Sequence, residues 1–100
     1  MDDHRARITW LPASSRGKEA LPATLRYVGI GRFVEDGPEW PDGSWSVVCH
    51  FELPPAEQAN PSIGRVAFLA SAAPRERIKP GARFRLYEGP TEVAAVEVLE

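Results

Sequence analysis

Ser44-Trp45-Ser46-Val47-Val48-Cys49-His50-Phe51-Glu52-Leu53 sets Trp45, Val47, Cys49 and Phe51 at every second position, with Ser44, Ser46, His50 and Glu52 facing the other way. Successive side chains of a β-strand point to opposite sides, so the stretch reads as a strand with one face in a core and one in water. The same alternation recurs on either side of it. Ala6, Ile8 and Trp10 alternate with Arg5, Arg7 and Thr9. Phe84 and Leu86 alternate with Arg83, Arg85 and Tyr87. Ala94, Val96 and Val98 face one way and Glu97 the other. Arg65 to Ala70 is apolar on both faces, the pattern of a strand covered on both sides. Leu25 to Val34 is rich in β-formers but holds Gly29 and Gly31, which predict a bulge or sharp bend.

Turn chemistry separates these runs. Asp42-Gly43, between Trp40 and Trp45, predicts a tight hairpin because the pair tolerates positive φ. Lys79-Pro80-Gly81 predicts a turn into the next strand, and Glu88-Gly89-Pro90-Thr91 joins the last two. Pro22, Pro38, Pro41, Pro54, Pro55, Pro61 and Pro74 all fall between candidate strands, where no amide donor is lost from a ladder. Pro55 to Ala59 is the single stretch able to make a helical turn. About six short strands in 100 residues predict one all-β domain spanning residues 1–100, a small six-stranded closed barrel whose closure removes exposed edges.

Hydrophobic residues at 43% and charged residues at 26% are ordinary globular values. Twelve basic residues against 14 acidic ones give a net charge of −2, so the overall field draws neither nucleic acid nor an anionic membrane, and a nucleic-acid role needs a local patch. The lone Cys49 has no partner for an internal disulfide, which suits a reducing compartment. Met1 to Arg5 has none of the character of a secretory leader, and no segment is long enough to cross a bilayer as a helix. The expected location is the cytoplasm. No membrane association and no cofactor are expected.

The candidate chemistry is sparse. Cys49 and His50 are the one thiol–imidazole neighbourhood, but adjacent strand residues point apart and cannot form a nucleophile–base pair. His4 lies in a terminus expected to fray. Glu35, Asp36, Glu39 and Asp42 form an acidic loop whose spacing Pro38 and Pro41 break for calcium, so it reads as solvated turns. Arg16-Gly17-Lys18 lacks the spacing of a phosphate-cradling loop and reads as an exposed connection. Trp40, in the acidic loop, is either a plug for the barrel end, the favoured reading, or an anchor for a partner. The most suggestive patch is Arg75, Arg77, Lys79, Arg83 and Arg85 with Tyr87. Arg83, Arg85 and Tyr87 share one strand face, which suits phosphates and a stacked base, or an acidic protein surface. The alternative is a solvated face balanced by Glu88, Glu92 and Glu97.

Gly81-Ala82-Arg83-Phe84-Arg85-Leu86-Tyr87-Glu88-Gly89, followed by Val93 on an apolar strand, has the form G-x-R-F-x-[I/L]-x-E-G. It resembles the final hairpin of the C-terminal β-barrel domain of elongation factor Tu. Gly64 to Pro74 resembles the preceding strand of that domain, and Ala6 to Leu11, Arg16-Gly17-Lys18, Pro22 and Tyr27 follow the family's order of first strand, basic loop, proline and tyrosine. Val28-Gly29 and Tyr87 replace family arginine and proline positions, and Ala94 and Val96 stand where glycines would be. The resemblance implies a six-stranded barrel and no nucleotide site, since nothing here matches the family's GTPase domain. In the family this barrel touches the aminoacyl-tRNA stem, the exchange factor and the factor's own other domains. Three functions follow as expectations: a non-enzymatic module acting through a protein partner, of which an immunity or antitoxin protein mimicking that surface is one form; an RNA-binding protein using the basic strand face; or an enzyme with a loop-built site.

Overall fold

The computed structural model describes residues 3–12 and 21–100, so the Arg16-Gly17-Lys18 connection lies outside the described residues. Six strands form: β1 (His4–Trp10), β2 (Arg26–Arg32), β3 (Trp45–His50), β4 (Ser62–Phe68), β5 (Arg83–Glu88) and β6 (Thr91–Val98). They close into an antiparallel barrel in the order β1-β4-β3-β2-β5-β6, with β6 pairing back onto β1. The fold is all-β, interrupted among the described residues by two single 3₁₀ turns, Pro55–Glu57 and Arg75–Arg77. The second turn has no counterpart in the sequence reading.

The inner sides of five strands supply the core, against which β2 packs its partly buried Tyr27. Ala6, Ile8 and Trp10 from β1, Val47 and Cys49 from β3, Val66 from β4, Phe84 and Leu86 from β5, and Val96 and Val98 from β6 form one buried cluster. Phe33 stacks on Phe84 at 4.6 Å between centroids near one end. Trp10 meets Tyr27 edge-on at 5.4 Å near the other, and its indole Nε1 donates to the fully buried Ser62 Oγ.

Amide side chains extend the ladders where strands stop. The Asn60 amide accepts from the Trp10 N–H at 2.9 Å and donates to the Trp10 carbonyl at 3.0 Å, just beyond the last β1–β4 pair. Gln58 likewise accepts from the Ile63 N–H and donates to the carbonyls of Leu53 and Ile63. Both satisfy backbone groups that would otherwise be left without partners at a strand end.

Several expectations are corrected. Gly29 and Gly31 make no bulge, for β2 pairs continuously with β3 from Arg26↔His50 to Gly31↔Trp45. They face inward instead, where a Cβ on Gly29 would meet Leu86 at 2.9 Å and one on Gly31 would meet Phe33 at 2.6 Å. The irregularity lies in the β5–β6 ladder, where Leu86 pairs with Ala94 but Tyr87 pairs with Glu92, so Val93 is an extra residue. Asp42-Gly43 does not make a two-residue hairpin. It ends a long connection over 33–44 built from successive turns, with Gly43 at φ +73°. The tight turn is Gly89-Pro90, flanked by the Glu88↔Thr91 pair, with Gly89 at φ +58°. The fourth strand starts at Ser62, not Arg65, and its outer face is not covered throughout, since Arg65 is exposed and Leu69 lies exposed past its end. His4 belongs to β1, with its Nδ1 at 2.9 Å from the Glu100 carbonyl oxygen.

Candidate functional site: an arginine–aromatic groove on the outer wall

Alternation on β5 sends Phe84 and Leu86 inward and Arg83, Arg85 and Tyr87 outward. Cross-strand pairing then builds two rows on the outer wall. Arg32 of β2 lies opposite Arg85, which lies opposite Ala95 and then Thr9. Arg83 lies opposite Glu97, which lies opposite Arg7. These rows line an open groove of about 840 Å³, with Val34 and Tyr87 on its border.

The bulge decides the electrostatics. With Ala94, Val96 and Val98 inward, strict alternation would send Glu92 into the core. The extra residue puts Val93 inside, 2% exposed, and turns Glu92 out beside Tyr87. There Glu92 accepts from both Arg85 Nη1 and the Tyr87 hydroxyl. That hydrogen bond, reinforced by the charge of Glu92, raises the Arg85 pKa above its already high ordinary value. Glu97 accepts from Arg7 at 2.9 Å and from Arg83 at 3.4 Å. Glu88, the third expected counter-charge, instead accepts from the Tyr27 hydroxyl at 2.6 Å.

Trp40 is not a plug. Its ring packs on Tyr87 at 4.5 Å between centroids, the Arg32 guanidinium lies 5.0 Å over it, and its Nε1 donates to the Gly31 carbonyl. The long connection therefore folds back over the outside of β2 and β5. It presents an aromatic pair between two outward arginines, Arg32 and Arg85.

Two of the expected basic residues go elsewhere. Arg77 turns into the structure and pairs with Asp36 at 3.2 Å, its guanidinium 5.9 Å from the Phe33 ring centre. Asp36 also accepts from the Phe33 N–H at 2.8 Å. The acidic loop is thus pinned by Asp36 rather than solvated throughout, and this pair is a loop anchor. Arg75 borders a separate cleft with Phe68, Leu69 and Ile78. The structure adds Arg7, Arg32 and Val34, which the sequence reading did not single out. Arg7 and Arg32 carry the signal of outward parity on their strands. Val34, 91% exposed, carries none beyond lying past a strand end.

No nucleophile–base pair forms at Cys49 and His50, which point to opposite sides of β3. Burial pushes the Cys49 thiol from 9.0 to about 12. Because the folded value lies above the unfolded one, the thiol's contribution to stability is complete below pH 9.0 and is lost as pH rises toward about 12. At pH 8 a thiol-reactive dye is expected to label the native protein at the rate of its unfolding, and fast stoichiometric labelling would contradict this burial. No three His, Cys, Asp or Glu side chains among the described residues gather into a group able to hold a metal ion, and no helix among them is long and apolar enough to cross a membrane. No family model, no curated protein and no solved structure matches the chain.

Proposed function

We propose that this barrel is a non-enzymatic binding module, comparable to the C-terminal barrel of elongation factor Tu, that docks a protein partner through the groove bordered by Tyr87, Arg32 and Arg85 and through Trp40, which packs on Tyr87. The observation that carries the reading is the Trp40–Tyr87 pair set on the outer wall between those arginines. Tryptophan, tyrosine and arginine are the residue types that dominate binding energy at protein interfaces, and Val34 adds an exposed apolar contact on the rim. The groove's ion pairs are solvent-exposed and worth roughly 0–1 kcal/mol each, so carboxylates of a partner can replace Glu92 and Glu97 at little cost. An acidic patch with an apolar centre is the matching surface. If that partner is an effector that otherwise docks on an elongation-factor barrel, the activity is of the immunity type.

RNA is the competing occupant, since its phosphates can displace the same glutamates from Arg7, Arg83 and Arg85. The test is capture of the partner from the native cell, followed by titration of the purified pair. Trp40→Ala is expected to weaken binding about 30-fold, the range of an interface hot spot. Affinity should fall less steeply with salt than for RNA, where three phosphate contacts to a single strand release condensed counterions and give a log–log slope of about −2. Unchanged affinity for both Trp40→Ala and the Arg83→Glu/Arg85→Glu double variant would dismiss this groove as the docking face.

A further inference from the structure

The other half of the barrel wall carries a second basic row that the sequence order hides. Register places Arg26 opposite His50, His50 opposite Arg65, and Arg65 opposite Arg5, on four adjacent strands. At a strand spacing of about 4.8 Å the line spans roughly 14 Å. Like charges directly opposite one another destabilise a sheet, so such a row needs counter-charge. The protein supplies it at one end: Asp3 pairs with Arg65 and Glu100 with Arg5, each at 3.0 Å. Among the described residues the Arg26–His50 end has no acidic partner. Beside the row lies a cleft of about 390 Å³, bordered by Arg5, His50 and Arg65 and by Phe51, Leu53 and Ile63, with Glu52 as its one carboxylate. Leu53 is 46% exposed there.

We propose that this row and cleft form a second binding site, separate from the Trp40–Tyr87 groove, for an acidic protein segment carrying an apolar side chain. A carboxylate of the segment completes the Arg26–His50 end, and the apolar side chain enters between Leu53 and Ile63. Charge complementarity and the apolar wall select this occupant. A nucleic-acid strand would find cations but a poor stacking platform for its bases, because Phe51 is only 5% exposed and the imidazole of His50 is the one exposed ring bordering the cleft.

The test uses the whole protein, isotope-labelled, with a synthetic hexapeptide of alternating glutamate and leucine, and a uridine hexanucleotide in parallel. Peptide is expected to shift the resonances of Arg26, His50, Leu53, Ile63 and Arg65, and equally so in the Arg83→Glu/Arg85→Glu variant, which separates this site from the groove. His50→Glu puts a carboxylate between two arginines. It is expected to raise the thermal midpoint by about 2–4 °C and to weaken peptide binding about tenfold. Absence of any shift with peptide at millimolar concentration, shifts centred on Arg83 and Arg85, tighter binding of the oligonucleotide at the row, or a His50→Glu variant that binds as wild type would each overturn the proposal.

Discussion

Trp10→Ala is expected to cost about 4 kcal/mol of unfolding free energy and to lower the thermal midpoint by roughly 20 °C. Trp10 is 3% exposed at the end of β1 and joins three parts of the chain. Its ring lies edge-on to Tyr27 of β2, its Nε1 donates to Ser62 Oγ of β4, and its backbone is paired by the Asn60 side chain. Truncation opens a cavity too large for the neighbours to fill. It also strips Ser62, which is fully buried, of its indole donor, leaving the Ala59 carbonyl at 3.4 Å as its acceptor. A domain of this size holds about 5–15 kcal/mol in total, so the variant sits close to the folding limit at 37 °C. Trp10→Phe separates the two contributions: it keeps a ring, loses the N–H, and is expected to cost about 1–2 kcal/mol. Chemical denaturation monitored by circular dichroism reads both. A loss below about 1 kcal/mol for Trp10→Ala would mean that this end of the barrel is not packed around the indole.

Gly64→Ala is expected to cost about 3 kcal/mol, although it adds a single methyl group. Gly64 sits on the inner side of β4, opposite Ala6. A Cβ there would lie 2.7 Å from Phe51 Cδ1 and 2.8 Å from the His50 carbonyl oxygen. The ring can turn, but the carbonyl belongs to the backbone at the end of β3, so relief requires the paired strands β3 and β4 to move apart. Ala95→Val, on the exposed outer side of β6, adds more volume into solvent and is expected to change stability by less than about 0.5 kcal/mol. If the two substitutions cost the same, the close approach of Phe51 and His50 to Gly64 is wrong. Because Phe51 and Gly64 also border the cleft beside the basic row, a folded Gly64→Ala protein should bind the glutamate–leucine peptide less well than Ala95→Val does.

Alternation alone places β1, β3, β5 and β6 and the side to which most of their residues point, because side-chain direction is a property of neighbouring residues on one chain. Trp45 to Phe51, Ala6 to Trp10 and Phe84 to Leu86 are legible in that way, and so is the outward set Arg83, Arg85 and Tyr87. The glycines of β2 were legible as special positions but not in their role. Whether a missing side chain marks a bend or makes room depends on what lies across the barrel, here Leu86 and Phe33. Arg75 and Arg77 looked continuous with the basic strand in the one-dimensional order. An acidic residue some forty positions earlier, Asp36, takes Arg77 away from it.

From its residue pattern by itself this protein was determined to be a set of short half-buried strands, with a core on one side and arginines on the other. Closure and register decided everything that lies between strands. They seat Trp40 on Tyr87, turn Glu92 outward through one extra residue, and align Arg26, His50, Arg65 and Arg5 on one line. The physical reason is range: which way a side chain points is settled within two residues, whereas which strands meet, and at what offset, is settled only when all six compete to fill one interior.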